Sequence, residues 1–198
     1  AAVTVTLAIG VTRMAKRRAI IRKLPAVEAL GSVTIISSDK TGTLTQNQMT
    51  VKEIFAGGQI LYVDGTGYDP TGQFRSSGDT SHEEIPTAFL LTLKAGAYAN
   101  DSHLIFSDDR WSIQGDPTEG ALLVSAYKAG LREEGLTVQF PRIDSIPFES
   151  EYQYMATLRM NAEDQSKTAF IKGSVEAILS RSTQTVDIHG NVVPIDKN

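Results

Sequence analysis

A run of β-branched and apolar residues that stops on a carboxylate places the tightest constraint on how this chain can fold. Ser32 to Ser38 carries Val33, Ile35 and Ile36, the make-up of a strand buried on both faces of a parallel sheet. Asp39 follows at once. The predicted strand therefore delivers a carboxylate just past its C-terminal edge, where open α/β sheets gather their ligands. Upstream, Leu24 to Gly31 contains Pro25 and an apolar and acidic run that predicts a short connecting helix broken at Gly31.

From Val51 the pattern changes. Val51 to Phe55 and Ile60 to Val63 flank Gly57-Gly58, which reads as a β-hairpin. Asp64 to Ser81 is rich in Gly, Ser, Thr and Asp and reads as loop. A helix is expected over Glu84 to Ala99, with Phe89, Leu90, Leu93 and Ala97 at helical spacing. Trp111 to Gln114 is a short strand candidate, and Pro117 to Leu131 a second helix with Pro at a favoured early position and Gly130 or Gly135 near its end. Strands are expected around Ile143 to Phe148, Met155 to Met160 and Thr168 to Lys172. A helix over Ser174 to Arg181 and a hairpin turning at Gly190-Asn191 complete the pattern. An α/β beginning thus gives way to an antiparallel sheet decorated with helices, which implies two domains with a boundary near Met49 to Val51.

The chain has 198 residues and 41% apolar content, enough for one good core or one core plus part of another. Its net charge of −4 supplies no basic footprint for displacing counterions from phosphates, so no nucleic-acid partner is expected. The absence of cysteine excludes disulfides and thiolate metal sites, and His82, His103 and His189 are scattered without ligand spacing. Ala1 to Thr12 is almost entirely small and apolar but too short for a membrane span, which needs about 20 such residues. The cationic block Arg13, Lys16, Arg17, Arg18, Arg22 and Lys23 comes after the apolar run, opposite to a signal peptide. It is the arrangement expected where a membrane helix emerges on the cytoplasmic side. Residues 1 to 12 therefore read as the end of such a helix, with a buried soluble helix and basic surface turn as the alternative.

Asp39-Lys40-Thr41-Gly42-Thr43-Leu44-Thr45 is the strongest chemical signal. A carboxylate can attack a phosphoryl group and form an acyl phosphate, while Lys40 and the hydroxyls and backbone of Thr41 to Thr43 neutralise charge on the equatorial oxygens. The run resembles the phosphorylation signature of the P-type ATPases. Soluble phosphatases of the wider haloacid dehalogenase superfamily usually place a second Asp two residues on. Thr41 stands there in this chain, so water activation is expected to be poor and a phosphoenzyme to persist.

Three further runs carry the same resemblance. Gly115-Asp116-Pro117-Thr118-Glu119-Gly120-Ala121-Leu122 resembles the nucleotide-domain motif of the type II pumps, in which the acid at Glu119 contacts the adenine side of ATP. Asp116 would also cap the helix that starts there. Pro147-Phe148-Glu149-Ser150 resembles the segment whose aromatic ring stacks on adenine, which makes Phe148 the candidate. Gln153 stands where many relatives carry a lysine. Lys172-Gly173-Ser174-Val175-Glu176 resembles the family's Lys-Gly-Ala-Pro-Glu motif, with Lys172 at the base of the adenosine pocket and Gly173 allowing close approach.

The resemblance implies an α/β chain: the start of a Rossmann-like haloacid dehalogenase phosphorylation domain, then an α+β nucleotide-binding domain with an antiparallel sheet flanked by helices. Residues 1–23 would be the end of membrane helix 4 and its stalk, 24–49 the first part of the phosphorylation domain, and 50–198 the nucleotide-binding domain. It implies ATP and Mg2+, with Asp39, Lys40 and Thr41 catalytic, Asp39 and Thr41 at the metal, and Glu119, Phe148, Gln153, Lys172 and Gly173 at the nucleotide. The parent would be a cation pump of the cell membrane, with this segment on the cytoplasmic side. Ca2+, Na+, K+ and H+ stay open, because the ion ligands of such pumps lie in membrane helices. The downstream Thr-Gly-Asp and Gly-Asp-Gly-x-Asn-Asp motifs are not in this sequence, so these residues are expected to bind ATP weakly without completing a transport cycle. A soluble phosphatase of the same superfamily and a stand-alone nucleotide-binding regulator are the alternatives.

Overall fold

The computed structural model describes residues 2–23, 25–76 and 84–195. It divides into two compact units, Ala1–Gln46 and Asn47–Asn198. His82 and the end of the expected polar loop lie outside the described residues.

In the first unit, helix α1 (Ala2–Lys16) buries none of its residues. It ends where Arg18 turns left-handed at φ 62. The Ala19 amide donates to Met14 O at 3.0 Å and the Arg18 amide to Ala15 O at 2.9 Å, a reversal that satisfies the last helical carbonyls. The chain then returns through α2 (Pro25–Gly31), and Gly10 lets the two helices close: a methyl group there would sit 3.2 Å from Val27 Cγ1. Among the described residues no helix is long and apolar enough to cross a membrane.

The expected strand over Ser32 to Ser38 is not formed: the segment takes up no helix or strand, and Ile35 and Ile36 are 81% and 83% exposed. The reason is pairing, not propensity. A strand exists only through a neighbour's backbone, and the sheets of the described residues are built entirely from Glu53 onward. The phosphorylation-like run that follows forms a turn, with the Leu44 and Thr45 amides both donating to Lys40 O at 3.0 and 3.1 Å.

The second unit opens with an antiparallel sheet in the order β1-β2-β3, made of β1 (Glu53–Ala56), β2 (Gln59–Val63) and β3 (Phe74–Ser76). Gly57 and Gly58 both take positive φ, 57° and 79°, the geometry whose twist matches a two-residue hairpin. β3 lies inside the stretch expected to be loop. The remainder of that loop is anchored by Lys52 Nζ donating to Gly65 O at 2.6 Å and by Lys128 Nζ donating to Asp64 O.

Helix α3 (Thr87–Tyr98) buries Ala88, Phe89, Leu93, Ala97 and Tyr98. It starts later than the periodicity implies because Pro86, at φ −59 and ψ 150, stands before the first turn and biases Ile85 toward extended backbone. Strands β4 (His103–Ser107) and β5 (Arg110–Gln114) form a hairpin whose Asp108-Asp109 turn is left-handed at both residues, φ 50 and 56. Helix α4 (Pro117–Lys128) follows, then α5 (Glu133–Gln139). Next comes a second antiparallel sheet, order β6-β7-β8, of β6 (Arg142–Glu149), β7 (Tyr154–Met160) and β8 (Lys167–Gly173). Helix α6 (Val175–Arg181) and the pair β9 (Gln184–Val186) and β10 (Val192–Pro194) end the described chain.

The core lies between α3, α4 and the sheets, with Leu61, Phe89, Tyr98, Met155 and Thr157 all but fully enclosed. An arginine closes it. Arg159, 7% exposed, donates from Nε and Nη2 to Tyr98 O at 3.2 and 2.8 Å and from Nη1 to Phe140 O at 2.9 Å. Its guanidinium carbon also lies 5.0 Å from the Tyr98 ring centroid. Tyr98 O is the final carbonyl of α3, so the buried cation meets the negative end of a helix dipole in place of a carboxylate.

Candidate adenine-binding site

Asp116 begins the site. Its Oδ1 accepts from the Thr118 amide at 2.8 Å and the Glu119 amide at 3.2 Å, which caps α4 and points the Glu119 side chain from the first turn. Burial pulls the Asp116 carboxyl upward. The Glu119 and Thr118 amides, the Thr118 hydroxyl and the Lys172 charge together outweigh that and hold it below the usual carboxylate range. A lowered carboxyl stabilises the fold above its unfolded value, about 3.9, and the contribution is lost as pH falls through the folded value. Asp116→Ala is therefore expected to cost about 1 kcal/mol at neutral pH. In denaturant titrations the gap to the unaltered chain should shrink below about pH 4; an undiminished gap in acid would show that the cap does not work through charge.

Glu119 is held on both oxygens. Oε1 lies 2.9 Å from Lys172 Nζ, in a pair whose side chains are only 15% and 21% exposed. Oε2 accepts from the Asp101 amide at 2.8 Å and lies 3.5 Å from Ser102 Oγ. Behind it, buried Asn100 donates from Nδ2 to Glu119 O at 2.8 Å and to Gly96 O at 3.1 Å, while its Oδ1 accepts from the Ser102 amide at 2.9 Å. Ser102 Oγ in turn donates to Asp116 O at 3.1 Å.

Lys172 and Gly173 come from the end of β8. A side chain at 173 would drive its Cβ to 2.4 Å from Gln153 O and 2.6 Å from Tyr154 Cβ, so the position requires glycine for space. Phe148, near the end of β6, is 57% exposed. Asp116, Thr118, Glu119, Leu122, Phe148, Lys172 and Gly173 line one cavity of about 480 Å³. An aromatic ring and an aliphatic side chain thus share a recess with a largely dry ion pair, the mixture of apolar wall and few oriented polar groups that small-molecule sites use. A wider hollow of about 750 Å³ beside α5, lined by Leu131, Val138, Gln139 and Ala162 among others, has no comparable ion pair and is more open to solvent.

Gln153 does not line the cavity. It sits at φ 57 in the turn between β6 and β7, and its side-chain Oε1 accepts from Ser174 Oγ at 3.3 Å. Its backbone oxygen also accepts from the Ser174 amide at 2.9 Å. The side chain is thus engaged through Oε1 by the residue that caps α6. The Asn100–Ser102 turn and Arg142, which bonds it, carry no motif and were not among the expected site residues.

Asp39, Lys40 and Thr41 are exposed in the first unit. Among the described residues no three His, Asp or Glu gather into a metal cluster. Asp39 with Thr41 offers one carboxylate and one hydroxyl, which does not fit a resident Mg2+ site. That ion demands near-octahedral oxygen geometry and commonly takes carboxylates together with substrate phosphates and water.

Residues 89–198 match the family model described as P-type ATPase, cytoplasmic domain N. Over 202 aligned residues the chain is 53% identical to a cation-transporting ATPase of Synechocystis, covering 100% of this chain and 22% of that protein. It is 48% identical to a probable cation-transporting ATPase F of Mycobacterium tuberculosis, covering 99% and 22%. It is 40% identical to a calcium-transporting ATPase of Bacillus subtilis, covering 93% and 21%. The chain thus spans about a fifth of the length of these curated relatives.

Proposed function

The chain belongs to the P-type ATPases, and from that membership we propose that its second unit binds ATP with the adenine in the Phe148 cavity. Phe148 supplies a stacking face, Leu122 an apolar floor, and the Glu119–Lys172 pair one acceptor and one donor for the edge of the base. A single observation carries this reading: residues from α4, β6 and β8 converge on one recess around a 2.9 Å ion pair whose partners stand 53 positions apart in the chain.

Under the same proposal residues 24–49 are the first part of a Rossmann-like phosphorylation domain. An Asp39 carboxylate oxygen bonds to the γ-phosphorus of ATP, the bond to the β,γ-bridging oxygen breaks, and ADP leaves. Lys40 and Thr41 neutralise charge on the transferred group, and Thr41, lacking a carboxylate, activates water poorly. The parent protein moves a cation across a membrane, with this segment on its cytoplasmic side. Mg2+ is expected to arrive with the nucleotide phosphates.

Titration of the 198-residue chain with ATP, AMP and GTP, followed by amide NMR, tests the binding reading. Saturable shifts at Lys172, Gly173 and Glu119 with ATP and AMP, and weaker ones with GTP, are expected. No saturation into the millimolar range, about 4 kcal/mol of binding or less, would end it.

A further inference from the structure

β6 carries Phe148 but is poorly fixed by packing. All eight of its residues are exposed, and among the described residues it pairs with β7 alone. Its register slips twice, between Arg142 and Asp144 and again between Ile146 and Glu149. Phe148 lies within the second irregularity, where ladder bonds cannot dictate how far its ring stands from α4. The opposite wall is rigid by comparison, since Glu119 accepts from three donors of the Asn100–Ser102 segment, which the Ser102 amide closes on itself by donating to Asn100 Oδ1.

One side chain joins the two walls. Arg142, the first residue of β6, places Nη1 at 2.6 Å from Asp101 Oδ1 and Nη2 at 2.5 Å from Asn100 O. The same Asp101 whose carboxylate receives the guanidinium gives its backbone amide to Glu119. We propose that Arg142 is a positioning residue for the nucleotide cavity, strapping the strand that bears Phe148 to the turn that holds Glu119 and so setting the gap into which the base slides.

The fork of the guanidinium suits this role, because two parallel donors fix direction as well as distance, which an ammonium cannot do. The ion pair by itself adds little stability, although Nη2 also serves the part-buried Asn100 carbonyl. The pair is substantially exposed, at 32% and 54%, and such pairs contribute little to folding. Arg142 also stands directly opposite Arg159 in the β6–β7 register, so its charge does not balance a cross-strand neighbour.

The inference rests on the nucleotide reading, and its test separates the two. ATP and adenosine affinities are measured for the unaltered chain, Arg142→Met, Arg142→Lys and Asp101→Asn, with melting temperatures and the Asp101 amide proton shift recorded for each. Asp101→Asn is expected to melt like the unaltered chain, and the Arg142 variants, which lose a donor to the Asn100 carbonyl, within a few degrees of it. Both Arg142 variants should bind ATP and adenosine alike about tenfold more weakly, the scale of a lost orienting contact, while Asp101→Asn, which keeps an Oδ1 acceptor for the guanidinium, should lose less. The Asp101 amide should move upfield in the ligand-free Arg142 variants as its bond to Glu119 loosens. Full rescue by Arg142→Lys, or a loss confined to ATP and absent for adenosine, would mean that charge alone acts and would overturn the strap. So would unchanged affinity in Arg142→Met beside a binding-competent unaltered chain. If the unaltered chain itself binds neither ligand, the nucleotide reading fails first and the strap with it.

Discussion

Phe148→Ala is expected to weaken ATP binding by about 10- to 100-fold, because stacking of a base on an aromatic face is worth about 1–3 kcal/mol when read by alanine substitution. The ring is 57% exposed and so contributes little to the core. A large binding loss should therefore come with a stability change within about 0.5 kcal/mol, as for other surface positions. That separation makes the result interpretable. Calorimetric titration gives the affinity and thermal melting the control; equal affinity in both proteins would remove Phe148 from the site, whatever its family resemblance.

The largest loss of stability is expected from Arg159→Leu. Leucine keeps an apolar stem but abandons Phe140 O and two of the three donors serving Tyr98 O, leaving the latter only the Thr157 hydroxyl at 2.9 Å. Each buried carbonyl left short of a donor costs about 1–3 kcal/mol, and the stacking of the guanidinium on Tyr98 adds about 1 kcal/mol. Against this, removing a buried charge recovers part of its desolvation cost. The carbonyl terms win because the charge faces a helix C-terminus that already compensates it, so the net loss is expected at about 2–4 kcal/mol. Urea denaturation followed by circular dichroism checks it; an unchanged midpoint would mean that α3 does not depend on this cation for its end.

What could be read from the sequence depended on whether a residue's role travels in its own side chain. Gly57-Gly58 announces its hairpin because the turn needs positive φ, and Asp116-Pro117 announces α4 because a capping carboxylate and an early proline are what a helix start requires. β4 and its partner turn were missed because Asp108-Asp109 adopts the left-handed pair without any glycine to signal it. α5 is hidden in the sequence because Gly135, a residue type that usually ends helices, sits inside it. β3 is too short to show alternation, and Ser32 to Ser38 has strand composition but no partner in the described sheets. The candidate site divides on the same line. Glu119, Phe148 and Lys172 stand in runs whose side chains advertise them. Asn100 and Asp101 act on Glu119 through a buried amide and a backbone N–H, and the second of these is a contribution every non-proline residue could make.

The crowding at Gly173 carries a lesson about which letters of a motif are free to drift. Position 173 has no room for even one carbon, whereas Ser174 is a cap whose hydroxyl accepts from the Ala177 amide at 3.2 Å, and Val175 opens α6 at 74% exposure. In a saturation library selected for nucleotide retention, substitutions at 173 should vanish almost completely. Those at 174 should favour small cap formers, and 175 should accept nearly anything, proline included. Lys-Gly-Ser-Val-Glu and Lys-Gly-Ala-Pro-Glu are then two spellings permitted by one local geometry, differing only where that geometry leaves a choice.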